Sequence, residues 1–372
     1  MNTPVAFDEL EPFKLERYFA EHEFAAPYLL GSSDCESLTI RDLLKLEPTA
    51  ERDFLSTWLG YTESVGSPEL RAAISALYNH IGPADVLVHA GAEEAIYAFA
   101  RAVLQRGDRV VVQIPCYQSL RSIASSQGCE VVPWTPHEAE GWHWSLGELR
   151  RLLAPGARAV IVNSPHNPTG AQFSADAFQA IVAMAQGRQA VLFSDEVYRF
   201  SEHDGRTLPA ACDLSPSAVS LGVVSKSFGL AGLRIGWIAT HNVAVREAMA
   251  RYKDYLTICN AAPSEFLATL ALRKREEILS RVRRLLQDNA SLLGEWFGRH
   301  DNVFAWTRPA AGPVAFVRVR GGRSATELCA RALTRGVMLV PSTQFDFGDA
   351  HVRFGFGRRN MAEALERLDQ VL

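Results

Sequence analysis

One lysine interrupts a strongly apolar run. In "VVSKSFGLAGLRIGW", Val223–Trp237, the charged side chains are Lys226 and Arg234, eight residues apart, among three glycines. Carrying a lysine into an apolar interior is costly unless its charge is paired or given up. Held away from water, a neutral lysine amine is a nucleophile that can form a Schiff base. The plainer alternative is an amine that snorkels to solvent. Arg234 carries a planar fork suited to a phosphate. Gly229 and Gly232 let the intervening backbone turn tightly, so that both cations can face one ligand.

Other residues of chemical interest also follow apolar runs. "LFSDEVYRF" places Asp195 and Tyr198 after one run. A carboxylate entering an apolar region needs a cation, and a protonated ring nitrogen would serve; a helix-capping aspartate is the simpler reading. "NSPHNPTG", Asn163–Gly170, makes an irregular turn that can present the Asn167 amide, although Asn-Pro and Thr-Gly also occur in plain turns. In "IPCYQSL", Tyr117 can stack on a planar ligand or simply fill the rim of a core. Gly91-Ala92-Glu93 opens a helix, whose free N–H groups favour a phosphate, or is an ordinary strand-to-helix turn.

The elements that must position these residues are legible as a rhythm. Short apolar strands are expected at 85–89, 109–114, 159–163, 190–193, 219–224 and 235–239, with helical stretches at 68–80, 146–153 and 175–186. Such alternation predicts an α/β fold, a mostly parallel sheet between helices. In open parallel sheets ligands bind beyond the carboxyl ends of the strands, where these residues fall. After about Leu256 the pattern changes to a long charged helix, 273–297, then strands at 314–318 and 352–356 and a last helix at 361–372. The reading is a large domain over 46–256. A smaller α+β domain comprises 257–372 with the N-terminal segment 1–45, which carries one helical stretch near 11–22.

Length supports two domains, since 372 residues exceed one ordinary core. With 48% apolar and 22% charged residues the composition is that of a globular chain. A net charge of -4 without a basic run gives no footprint for nucleic acid or an acidic membrane surface. The start lacks a continuous apolar stretch, and no segment has the length of a membrane helix. Six scattered cysteines show no C-x-x-C spacing, so neither a disulfide framework nor a metal site is expected, and a cytoplasmic location is.

Taken together, a phosphate cradle, an aromatic platform, an amide, a carboxylate, a phenol, a lysine and an arginine suit one ligand. It is a phosphorylated pyridine aldehyde, pyridoxal 5'-phosphate (PLP). At this point the sequence resembles the class I/II aminotransferases, fold type I PLP enzymes. The matching blocks run in family order: "YTESVGSPELRAAI", "GAEEAI", "PCY", "NSPHNPTG", "SDEVY", "SKSFGLAGLRIGW" and "HVRFGFG". The resemblance implies an aspartate-aminotransferase-like fold and a homodimer. It makes Lys226 the imine-forming and proton-moving lysine, with Asp195 on the ring nitrogen and Tyr198 and Asn167 on the ring oxygen. Tyr117 stacks on the ring. Gly91, Ala92, Glu93, Ser225 and Arg234 surround the phosphate, and Tyr61 reaches the partner's phosphate. Arg353 clamps the substrate carboxylate, with Gly31 and Asn167 at the substrate.

Three positions depart from the family pattern. Val223 stands where a serine is usual, His166 replaces an asparagine, and "GSSDCESL", Gly31–Leu38, replaces the usual substrate loop. The expected activity is amino-group transfer between an L-amino acid and a 2-oxo acid. "PCYQSL" and "NSPHNPTG" are also similar to capreomycidine synthase-like members, which implies the alternative of a cyclase or eliminating enzyme acting on a hydroxylated amino acid, or a lyase. An effector-binding module and a nicotinamide dehydrogenase fit less well: the first lacks a basic DNA-binding segment and the second its G-x-G-x-x-G after a first strand. Trp142, Trp144, Arg199 and Tyr255 are further candidates for the side-chain pocket.

Overall fold

A computed structural model describes residues 10–372; the first nine residues of the N-terminal segment lie outside it. The larger sheet has seven strands: β1 Val86–His89, β2 Arg109–Gln113, β3 Glu130–Trp134, β4 Ala159–Asn163, β5 Val191–Asp195, β6 Val219–Val223 and β7 Gly236–Ala239. Their spatial order is β1-β7-β6-β5-β4-β2-β3. From β3 to β6 every neighbouring pair is parallel, whereas β7 is antiparallel to both β6 and β1. The exception has a local cause. No crossover helix separates β6 from β7, only a loop with one 3-10 turn at Ala231–Leu233, so the chain folds straight back.

β4, β5 and β6 are buried along their whole length, as strands covered on both faces must be. Alternate residues serve the two layers. Val110 and Val112 join the core beneath helices Ala92–Val103 and Ser119–Ser126. Val111 faces the opposite core, with Leu149 of helix Leu146–Leu152 and Phe178 and Ile181 of helix Ala175–Gly187. The strand missing from the sequence expectation is β3. It sits at the sheet edge, half-exposed, and contains Pro133, which an edge tolerates but a central strand does not.

A second, antiparallel sheet is formed by β8 Phe304–Ala305, β9 Val314–Val319, β10 Val340–Pro341 and β11 His351–Gly355, in the order β10-β11-β9-β8. Helix Arg275–Arg299 lays Val282, Leu286, Leu293 and Phe297 into the core against it, at helical spacing. The two-residue strands β8 and β10 were beyond the sequence pattern. So was a helix ahead of the expected charged one: Ala262–Arg273 ends at Lys274, where the charged helix begins, and packs Leu267 and Leu270 with Leu70 and Ile74 of helix Pro68–Ser75. That last helix stops at Ser75 rather than continuing to His80.

The N-terminal segment crosses from one sheet to the other. Helix Lys14–His22 is followed by a bridge from Tyr28 to Val337, and the Leu30 carbonyl accepts the Gly355 N–H at 2.8 Å. Residues 31–35 then lie against the end of β11. Gly357 permits this close approach, since a Cβ there would stand 2.9 Å from the Cys35 Cα. No helix among the described residues is long and apolar enough to cross a membrane.

Candidate active site

The carboxyl ends of β4, β5 and β6 open into one cavity of about 520 Å³. Lys226, three residues past β6, lines it and donates from Nζ to Ser33 Oγ at 3.0 Å. The same Nζ lies 6.0 Å from the Tyr198 ring centroid. Asp195 ends β5 and is 4% exposed. Its Oδ1 accepts the Val197 N–H at 3.2 Å. Burial pushes its carboxyl up to about 7, with no cation among the described residues bonded to it.

Asn163, the last residue of β4, ties this end of the sheet together. It donates from Nδ2 to the Asp195 carbonyl at 2.9 Å, and its Oδ1 accepts the Asn167 N–H at 2.6 Å. The Asn167 side chain is thereby turned toward Arg353 on β11, whose Nη1 donates to Asn167 Oδ1 at 3.0 Å. Arg353 also donates from Nε and Nη2 to the Gly31 carbonyl, at 3.0 and 2.8 Å. It is fully buried, with the rings of Phe19 and Phe345 5.8 and 5.2 Å from its guanidinium carbon. Burial lowers its pKa to about 10, still cationic at neutral pH. The three residues expected at the substrate, Gly31, Asn167 and Arg353, thus form one hydrogen-bonded group.

At the other end, Gly91 caps helix Ala92–Val103 with φ +89°, and a Cβ there would overlap the Arg234 guanidinium. The Glu94 carboxylate fixes the turn, accepting the Ala90 N–H at 2.6 Å and lying 3.3 Å from the buried His89 ring. Ala92, Glu93, Ser225 and Arg234 all line the cavity. Ser225 Oγ is buried without a partner. Arg234 makes one long bond, 3.3 Å, to the Ala231 carbonyl. Burial pushes the Glu93 carboxyl up to about 7, and Ser119 Oγ donates to it at 2.9 Å.

These features meet the demands of PLP. An orphaned hydroxyl, an under-used guanidinium and a helix N-terminus await an anion. A buried carboxylate awaits a cation, and a lysine lines the same cavity. The cavity volume is in the range that holds a small ligand. Tyr117, Val197 and Val223 give it flat or apolar walls.

Several sequence expectations fall elsewhere. Tyr61, expected at a partner's phosphate and not at this chain's own, is 84% exposed and does not line this cavity. Trp142, Trp144, Arg199 and Tyr255 do not line it either. Trp144 packs on His166 at 4.6 Å and Trp142 on Phe316 at 5.6 Å, because both indoles are needed to fill the core beside β3. Arg199 lies over the Phe200 ring, and Tyr255 is 90% exposed. His166 is buried against Thr169 and driven down to about 3 by burial, so it is a neutral turn residue. Val223, where a serine is usual, is 4% exposed and gives the cavity an apolar wall continuous with the core cluster of Ile96. Conversely, the cavity has a roof of which the sequence revealed only the segment after Gly31. It comprises Phe13, Glu16, Phe19 and Glu23 of the first helix and its ends, and Ser32 and Ser33 beyond it. The spacing 16, 19, 23 was the available signal.

This site belongs to a PLP-dependent enzyme. Residues 28–368 match the family model "Aminotransferase class I and II", and the chain belongs to that family, with its aspartate-aminotransferase-like fold. It is 32% identical to capreomycidine synthase of Streptomyces vinaceus, over 92% of this chain and 88% of that one. Among solved structures it is similar to a PLP-dependent aminotransferase from Streptococcus suis, with a TM-score of 0.92, 32% identity and 98% of each chain covered. It is also similar to the PLP-dependent cyclase OrfR, with a TM-score of 0.89 and 29% identity over 99% of this chain and 98% of the other.

Proposed function

We propose that the protein transfers an amino group between an L-amino acid and a 2-oxo acid in cytoplasmic amino-acid metabolism or biosynthesis. One observation carries this: Lys226 lines one cavity together with the residues of an anion cradle, a buried carboxylate and Asn167, which accepts from the buried Arg353. When bound, PLP supplies an aldehyde that combines with amines and a ring that accepts the electrons of a broken Cα bond.

The residues divide the remaining work. Ser225, Arg234 and the N–H groups of Ala92 and Glu93 hold the phosphate. Tyr117 covers the ring, and Tyr198 with Asn167 fixes its oxygen. Asp195 holds the ring nitrogen protonated, since its own buried charge needs a cation. Lys226 Nζ first holds the cofactor. Once a substrate amine has displaced it, the freed Nζ would hold and move the substrate Cα proton. Arg353 binds the α-carboxylate by exchanging the Gly31 carbonyl for a charged acceptor. The division into a 46–256 domain and a second one, 1–45 with 257–372, is part of this reading. Arg353 then moves with the smaller domain as it closes over substrate.

The enzyme acts as a homodimer in this reading. Leu55, Trp58, Leu59 and Tyr61 are 77–84% exposed within seven residues, an apolar patch that a second copy would cover. Tyr61 then reaches the partner's phosphate.

The similarity to capreomycidine synthase favours one second reading, elimination and ring closure on a hydroxylated amino acid. The same lysine, aspartate and arginine serve both. Mixing the PLP-loaded protein with single amino acids separates them. A transaminase leaves the cofactor in its amino form after an amino acid alone. Return of the starting spectrum with a cyclic product contradicts amino transfer and supports the second reading.

A further inference from the structure

The roof of the cavity has the wrong charge for an apolar or acidic substrate. We propose that the substrate side chain is cationic, a guanidinium or an ammonium, and is received between Glu16 and Glu23. This rests on the reading of the cavity as an amino-acid site.

Glu16, Phe19 and Glu23 follow i, i+3, i+7 spacing and all line the cavity, so one stripe of the first helix faces it. Phe19 lies over the Arg353 guanidinium at 5.8 Å, which sets the acidic stripe next to the carboxylate clamp. A bound amino acid with its α-carboxylate at Arg353 therefore extends its side chain beneath the two glutamates.

The other acidic groups of the cavity are accounted for. Both oxygens of Asp34 accept from Arg358 Nη2 at 2.9 Å, Asp195 awaits the ring nitrogen, and Glu93 takes a bond from Ser119. Glu16 and Glu23 form no ion pair with any described residue. Glu16 has one partner, the Tyr117 hydroxyl, which donates to it at 2.8 Å. Half-burial and the neighbouring Asp34 already press the Glu23 carboxyl upward. A cation between the two carboxylates relieves both charges, and the faces of Phe19 and Tyr117 favour it further. An acidic side chain would add a third negative charge, and a neutral one would leave both unpaired. Ser32 supplies an independent sign of a polar ligand: the residue is 2% exposed, its buried Oγ has no partner, and it lines the same cavity.

The test is substrate discrimination by the PLP-loaded enzyme. L-arginine, L-lysine, L-citrulline, L-norleucine and L-glutamate are titrated, with Kd read from the cofactor absorbance and independently by calorimetry. Arginine or lysine is expected to bind at least tenfold more tightly than its neutral counterpart, citrulline or norleucine. Glu16→Gln and Glu23→Gln should each lower the arginine-to-citrulline binding ratio roughly tenfold. Glu21→Gln, on an exposed side chain of the same helix, should change neither. Citrulline or glutamate binding as tightly as arginine in the unaltered protein overturns the proposal and marks the two glutamates as surface charges. No response to any amino acid contradicts the reading of the site itself, and the proposal with it.

Discussion

Asp195 shows what the site demands at the scale of a residue. Its carboxyl is pushed up to about 7 in the folded chain, against an ordinary value of 3.8. Between those values the unfolded chain has lost a proton that the folded chain keeps, so stability falls as pH rises from about 4 to 7. Glu93, also raised to about 7, adds to the same slope. The cofactor-free protein should therefore melt at a lower temperature at pH 8 than at pH 5. Asp195→Asn should flatten part of that fall, and an unchanged slope would remove Asp195 from the explanation. The same variant should still hold PLP but lose turnover by roughly a thousandfold, because the ring nitrogen loses its anion. Arg353→Ala leaves Asn167 and Gly31 without their buried donor. It should weaken amino-acid binding by about a hundredfold and PLP binding far less; equal losses would make Arg353 structural. Such roles were legible in the sequence where a charged residue interrupted an apolar run, as at Lys226 and Asp195. Glu16 and Glu23 gave no such contrast, because charged and apolar residues are interleaved around them.

At the scale of elements, the site depends on two turns meeting. The turn after β1 and the start of β7 touch: a Cβ on Gly236 would lie 2.6 Å from the Gly91 carbonyl carbon. Gly91 itself holds φ +89°, so Gly91→Ala adds backbone strain and displaces Arg234 from the phosphate end. Its PLP affinity should drop at least tenfold in a fluorescence titration, with the far-ultraviolet circular dichroism unchanged. Wild-type affinity would mean that the cradle tolerates a shifted Arg234. The central strands were readable because burial on both faces gives continuous apolar runs. β3 was not, with Pro133 and an exposed edge diluting its pattern, and two-residue strands such as β8 carry no period at all. The first helix was readable as a helix but not as a roof. Its cavity stripe is glutamate, phenylalanine, glutamate rather than apolar, and only the fold shows what it covers.

The whole molecule extends the account to a second copy. Trp58 and Tyr61 stand in water in the single chain, yet the family resemblance gives Tyr61 a phosphate to reach. Trp58→Arg should shift the sedimenting species from dimer to monomer and lower PLP retention together. A variant that stays dimeric with full retention would place the interface elsewhere. The fold was legible as a class from strand rhythm and motif order, but the exposure of Leu55, Trp58 and Leu59 was not, since buried and exposed apolar residues look alike in a sequence.

The central claim is that Lys226 is the residue joined to the cofactor. Incubating the purified protein with PLP, reducing with borohydride and mapping the peptides by mass spectrometry tests it directly. The account predicts one stable pyridoxyl label, on Lys226, abolished in Lys226→Ala. A label on another lysine, or none on a folded protein saturated with PLP, would contradict it.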